Sequence, residues 1–148
     1  MSYISTKTYN HNVGLSCAFR QWRAKHSHCR FIHGYALSVR INFKGNLNDR
    51  NWVYDFGDLK FVKQFLQDTF DHKTVIAEDD PELETFQELE QKGLIQLVVI
   101  PHVGCEKFAE YICKQIAPHI EVNSNARVKL MSVEVREHSG NSAIYIND

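Results

Sequence analysis

At 148 residues, with 43% apolar and 24% charged side chains, the chain has the length and balance of one globular domain able to bury its own core. Seventeen basic against eighteen acidic residues give a formal charge of -1, which leaves no cationic surplus for a nucleic-acid surface and no like-charge tail. No apolar run reaches the ~18 residues of a membrane span, and the opening stretch MSYISTKTYNHNVG lacks a signal-peptide core, so a cytoplasmic protein with reduced cysteines is expected.

Residues 9–22 mix apolar and polar groups and carry only a weak strand signal. Tyr35, Leu37, Val39, Ile41 and Phe43 then alternate with Ala36, Ser38, Arg40 and Asn42, the period of a half-buried strand. Lys44-Gly45-Asn46 ends it, and Val53-Tyr54 are expected to extend the same ribbon after a turn. Asp55 is placed to cap a helix through Gly57 and Asp58, with Leu59, Val62 and Leu66 on its buried face and Phe65 beside them. Asp80-Pro81 predicts a second helix start, with Leu83, Phe86 and Leu89 inward and Gly93 at its end. Residues 95–100 form a short strand-like run. A third helix is expected from Gly104, striped by Phe108, Ile112 and Ile116 and stopped by Pro118.

Residues 128–137 return to strand chemistry. Val128 and Leu130 fall on one phase and Val133 and Val135 on the other, so a bulge near Met131-Ser132 is needed to put all four on one face. Gly140-Asn141 predicts a turn into residues 143–146. The order implies a single α+β domain over 1–148, with helices on one face of an antiparallel sheet.

Four groups could carry chemistry. Glu137 shares the phase of Val133 and Val135, so its carboxylate points toward the apolar side. Such a group either pairs with an arginine, sits exposed at a fraying strand end, or grips a ligand through two adjacent N–H donors. Asp71-His72 ends the first helix and reads either as a proton relay or as a helix terminus answering the dipole. Cys29 stands among Lys25, His26, His28 and Arg30, cations that favour thiolate, whereas Cys17, Cys105 and Cys113 read as structural. His26, His28, Cys29 and His33 offer zinc-type donors, but all lie within one short segment, a weak match to sites usually built from two.

In order along the chain, LSCAFR, CRFIHGYAL, VYDFGDLK, FDHKTV, GCEKFAEYI and VEVREHSGNSAIYI resemble the 6-pyruvoyl-tetrahydropterin synthase and 6-carboxytetrahydropterin synthase family over nearly the whole length. The resemblance implies the tunnelling fold: an antiparallel four-stranded sheet with helices on one face, assembled into a homo-oligomeric barrel of trimers or hexamers. It implies a lyase acting on 7,8-dihydroneopterin triphosphate or a related pterin, yielding either a 6-pyruvoyl pterin or, with loss of acetaldehyde, a 6-carboxy pterin that is a precursor of 7-deazaguanines such as queuosine. Cys29, Asp71 and His72 match the family's proton-transfer residues. Glu137 matches the glutamate that holds the pterin ring, and Glu106 matches a second binding glutamate, although its neighbours read GCEK. The family holds zinc through three histidines; here Phe19 and Tyr35 stand at two of those positions and only His33 remains, so no cofactor is expected. The alternative is a non-catalytic pterin- or purine-binding protein derived from the same enzymes.

Overall fold

The computed structural model describes residues 2–148. The chain runs β1 (Tyr3–Tyr9), β2 (Leu15–Phe19), β3 (His33–Gly45), α1 (Lys60–Phe70), β4 (Lys73–Ala77), α2 (Leu83–Gln91), β5 (Leu97–Ile100), α3 (Cys105–Asn123), β6 (Val128–His138) and β7 (Asn141–Ile146). Strand β3 is the spine. Its alternation buries Leu37, Val39, Ile41 and Phe43 completely and leaves Arg40 and Lys44 exposed on the other face. The strand order is β5-β4-β2-β3-β6-β7, with β1 pairing along the second half of β3.

The expected four-stranded antiparallel sheet is corrected to a seven-stranded mixed sheet. Strands β2 and β4 pair in parallel, as do β4 and β5. Two strands escaped the sequence pattern for physical reasons. Strand β1 is polar and largely exposed, with only Tyr9 buried, so its pairing comes from the β3 ladder rather than from its own apolar face. Strand β4 is buried on both sides, as parallel strands are, and therefore shows no alternation. Val53 and Tyr54 do not extend the ribbon; they are buried outside any strand, where Tyr54 stacks on Phe43 at 5.4 Å.

Helices α1 and α3 supply Val62, Leu66, Phe70, Phe108, Ile112 and Ile116 to the main core. Each such side chain contributes about 2 kcal/mol of burial. Helix α2 packs instead on β4 and β5, and its Phe86, like Ile76 of β4, is buried outside that core. Asp55 caps as expected, its Oδ1 accepting from the Gly57 N–H at 2.8 Å. Pro118 does not stop α3, which continues to Asn123. Proline removes one helical N–H, but Ile116 before it and Ile120 after it are both buried, and that packing carries the helix through.

Strand β6 carries two irregularities. Asn42 pairs with Ser132 and Phe43 with Leu130, so Met131 is the extra residue of a bulge, and Val128, Leu130, Val133 and Val135 are all buried. Opposite β7, Arg136 pairs with Ser142 and His138 with Asn141, which leaves Glu137 as a second extra residue.

Candidate active site

The β2–β3 register sets Phe19 opposite His33 and Cys17 opposite Tyr35. That brings three rings together: Phe19 to His33 at 5.1 Å, His33 to Tyr35 at 5.3 Å and Phe19 to Tyr35 at 6.1 Å between centres. Three imidazoles around a tetrahedral zinc, each nitrogen ~2.1 Å from the ion, would space their ring centres roughly 5 Å apart. The three positions therefore converge as a metal tripod would, but the donors do not fit one. Phe19 has no lone pair and packs edge-on against Phe108 at 5.0 Å, so although His33, its Nδ1–H held by the Phe31 carbonyl at 2.8 Å, keeps Nε2 as a donor, a single imidazole is left where three are needed. Among the described residues no group of three His, Cys, Asp or Glu side chains could hold a metal ion, which also sets aside a zinc site from His26, His28, Cys29 and His33. Burial, with the charge of Glu137 next, raises the Tyr35 phenol above its ordinary range.

Beside this corner opens a cleft of about 500 Å³. Glu137 lines it from the β6 bulge, a device that re-aims a side chain out of the regular pleat. Its Oε1 accepts from Asn141 Nδ2 at 3.1 Å. The neighbouring Arg136 is engaged elsewhere, with Glu134 at 3.1 Å and the Ser139 carbonyl at 3.0 Å. The carboxylate is half-buried and makes no ion pair with an arginine among the described residues, which leaves it free to accept from a ligand.

Cys29 and Glu106 line the same cleft as Glu137 and His33. Cys29 is exposed on the loop between β2 and β3, where its N–H donates to Ser27 Oγ at 3.1 Å and its carbonyl accepts from the Gln21 N–H at 2.8 Å. Glu106 sits in the first turn of α3. That turn begins at Gly104, whose φ of 110° disfavours any side chain, and an added Cβ, 2.2 Å from Gln21 Nε2, would also push the Gln21 amide aside.

Cys105 was expected to be structural, yet it lines the cleft. Burial first, then the charges of Glu137 and Glu106, push its thiol up to about 11. Gln21 and Asn141 also face the cleft; Asn141 lies inside the last resembling motif, whereas Gln21 falls just after LSCAFR and gave no signal at all.

Asp71 and His72 are not brought to this cleft. Asp71 caps the end of α1, and His72 takes a left-handed backbone with φ 58°, its N–H bonded to the Ser16 carbonyl at 2.7 Å. His72 Nδ1–H donates to Asp71 Oδ1 at 2.7 Å, so Nε2 faces outward on a side chain 76% exposed. The pair is a formed acid–imidazole unit outside the lining of the cleft.

The model of the 6-pyruvoyl tetrahydropterin synthase family matches residues 9–148. A putative 6-carboxy-5,6,7,8-tetrahydropterin synthase of Pyrococcus abyssi is 30% identical over 116 residues, covering 75% of this chain and 71% of its own. The 6-carboxy-5,6,7,8-tetrahydropterin synthase of Rickettsia felis is 29% identical over 100 residues, covering 66% and 71%. In fold, the chain is similar to an uncharacterized protein of Wolinella succinogenes, with TM-score 0.85 at 21% identity over 100% and 99% of the two chains. It is also similar to the 6-pyruvoyl tetrahydropterin synthase of Plasmodium falciparum, with TM-score 0.69 at 19% identity over 97% and 96%.

Proposed function

The chain belongs to the 6-pyruvoyl tetrahydropterin synthase family, and from that premise we propose that it is a pterin lyase of the 6-carboxytetrahydropterin synthase kind, acting on 7,8-dihydroneopterin triphosphate or a related pterin. The observation that carries this reading is Glu137: a carboxylate lifted out of the pleat by a bulge, unpaired with any arginine, at the wall of a cleft that also holds Cys29. A carboxylate that keeps acceptor capacity on both oxygens beyond the one bond from Asn141 suits the adjacent amino and ring N–H donors of a pterin. Glu106, at the opening turn of α3, is the second binding carboxylate.

In this reading Cys29 exchanges a proton with the bound pterin, and the Asp71-His72 unit supplies the base. Asp71 holds the imidazole in the tautomer that leaves Nε2 able to accept a proton. Because that unit lies off the cleft of its own chain, it serves the cleft of a second copy. The assembly is a homo-oligomeric barrel, trimer or hexamer, of single-domain chains spanning 1–148. The family zinc does not fit the side chains present at Phe19, His33 and Tyr35, of which only His33 is an imidazole.

The test is turnover of 7,8-dihydroneopterin triphosphate by purified protein under reducing conditions. Cys29→Ala should lower the rate roughly 10²- to 10⁴-fold, the range of a lost proton-transfer group. A product mixture equal to the no-protein control, identical for Cys29→Ala, would overturn the catalytic reading. The filled ring corner favours one other function, a pterin- or purine-binding protein without turnover. Calorimetry with pterins and guanine derivatives separates the two, since tight binding without product, weakened by Glu137→Ala, is the signature of the binder.

A further inference from the structure

The segment from β4 to α3 carries a turn, Asp79-Asp80, that reaches back to the loop between β2 and β3. Arg20 meets Asp80 as a two-pronged fork, Nε to Oδ2 at 2.8 Å and Nη2 to Oδ1 at 2.6 Å. The Asp80 side chain is 1% exposed, and its Oδ1 also accepts from the Glu82 N–H at 2.9 Å. The Arg20 guanidinium lies over the Phe86 ring of α2 at 5.9 Å. One residue earlier, Asp79 accepts from Trp22 Nε1 at 3.3 Å and from Arg23 Nη2 at 2.9 Å. Two consecutive aspartates thus grip three residues of the loop, with the buried pair dominant and the exposed one weak.

Between those gripped residues lies Gln21. Its N–H donates to the Cys29 carbonyl and its Nε2 to the Val103 carbonyl at 3.3 Å, beside Gly104 at the start of α3. A continuous line of contacts therefore runs from the α2 turn through Arg20 to Gln21 and Cys29, and both of the latter line the cleft.

We propose that Asp80 is a positioning residue: through Arg20 it holds the 20–32 loop in place so that Cys29 and Gln21 stay aimed into the Glu137 cleft. This gives the β4–α2–β5 segment a task in the site it does not itself line. The inference rests on the reading of Cys29 as the proton-exchanging group. Asp80→Asn keeps the size of the side chain but removes the charge that Arg20 answers, leaving the guanidinium unbalanced.

The experiment is amide exchange by mass spectrometry on the full chain, with steady-state kinetics on 7,8-dihydroneopterin triphosphate alongside. In Asp80→Asn, exchange over residues 20–32 should quicken at least about tenfold while β3, β6 and α3 stay protected. The kcat should fall about tenfold or more, because a small misplacement of a reacting group is costly, while KM moves less than about threefold because Glu137 still holds the ring. Arg20→Lys, which keeps the charge but loses the fork, should give an intermediate change in both, and it decides the matter where Asp80→Asn fails to fold. Unchanged exchange over 20–32, exchange rising uniformly along the chain, or a loosened loop with unchanged kcat each overturns the proposal. A parent chain without turnover whose loop still loosens in Asp80→Asn counts against the lyase reading and for the clamp.

Discussion

Of the thiols that face the cleft, Cys29 stands on an exposed loop, whereas Cys105 is pushed up to about 11, by burial first and then by the charges of Glu137 and Glu106. Cys17 and Cys113 are buried, at about 12 and about 11. At a pH of ~8 a thiol so raised carries more than about a hundredfold less thiolate than an ordinary cysteine, only partly offset by its greater nucleophilicity. Site-resolved alkylation should therefore label Cys29 first, Cys105 at least about tenfold more slowly, and the buried pair last. The ring corner yields a second expectation. Phe19→His with Tyr35→His should bind about one zinc per chain by metal analysis, because the ring spacing already matches a tripod; no gain over the parent would mean that the spacing is fortuitous. At this scale the sequence was partly legible. The phase argument turned Glu137 inward, but the side chain owes its aim to a bulge that no residue type announces. Cys105 read as structural because its charged neighbours come from β6 and from its own helix turn, not from a local cationic cluster.

The three helices announced themselves by caps and stripes, and the β6 bulge at Met131 by a phase shift in the valines. Strands β1 and β4 did not, since one is paired without being buried and the other is buried without alternating. Pro118 misled because local propensity lost to packing. Pro118→Ala restores an N–H for the Lys114 carbonyl and should stabilise the protein by about 1–3 kcal/mol, read as a rise in Tm of a few degrees. The α2 turn has a pH signature. Burial opposes the charge on Asp80, but the Arg20 fork and the Glu82 N–H outweigh it and hold the carboxyl below the usual aspartate range, with Asp79 working slightly against them. A depressed carboxyl stabilises the fold above its unfolded value and loses that contribution as pH falls through its folded one. The Tm gap between the parent and Asp80→Asn should therefore be full at neutral pH and close below pH ~4.

No helix among the described residues is long and apolar enough to cross a membrane. The separation of Asp71-His72 from the cleft bears on assembly, which sequence could suggest only by resemblance, since contacts between copies leave no periodic mark on one chain. Mixing Cys29→Ala chains with His72→Ala chains under subunit exchange should restore activity toward about a quarter of the parent's, because random neighbours rebuild one intact site in four. Failure to regain any turnover, or a monomer by sedimentation, would count against sites shared between copies.

Strand β7 closes one side of the sheet with nothing paired beyond it among the described residues, and it presents Ile144 at 57% and Ile146 at 63% exposure. A bare, greasy rim of unsatisfied amides is a template for uncontrolled stacking. Dilution or mild denaturant that parts neighbouring copies should therefore make the preparation turbid rather than yield a well-behaved free subunit. A lysine at position 144 should keep the solution clear.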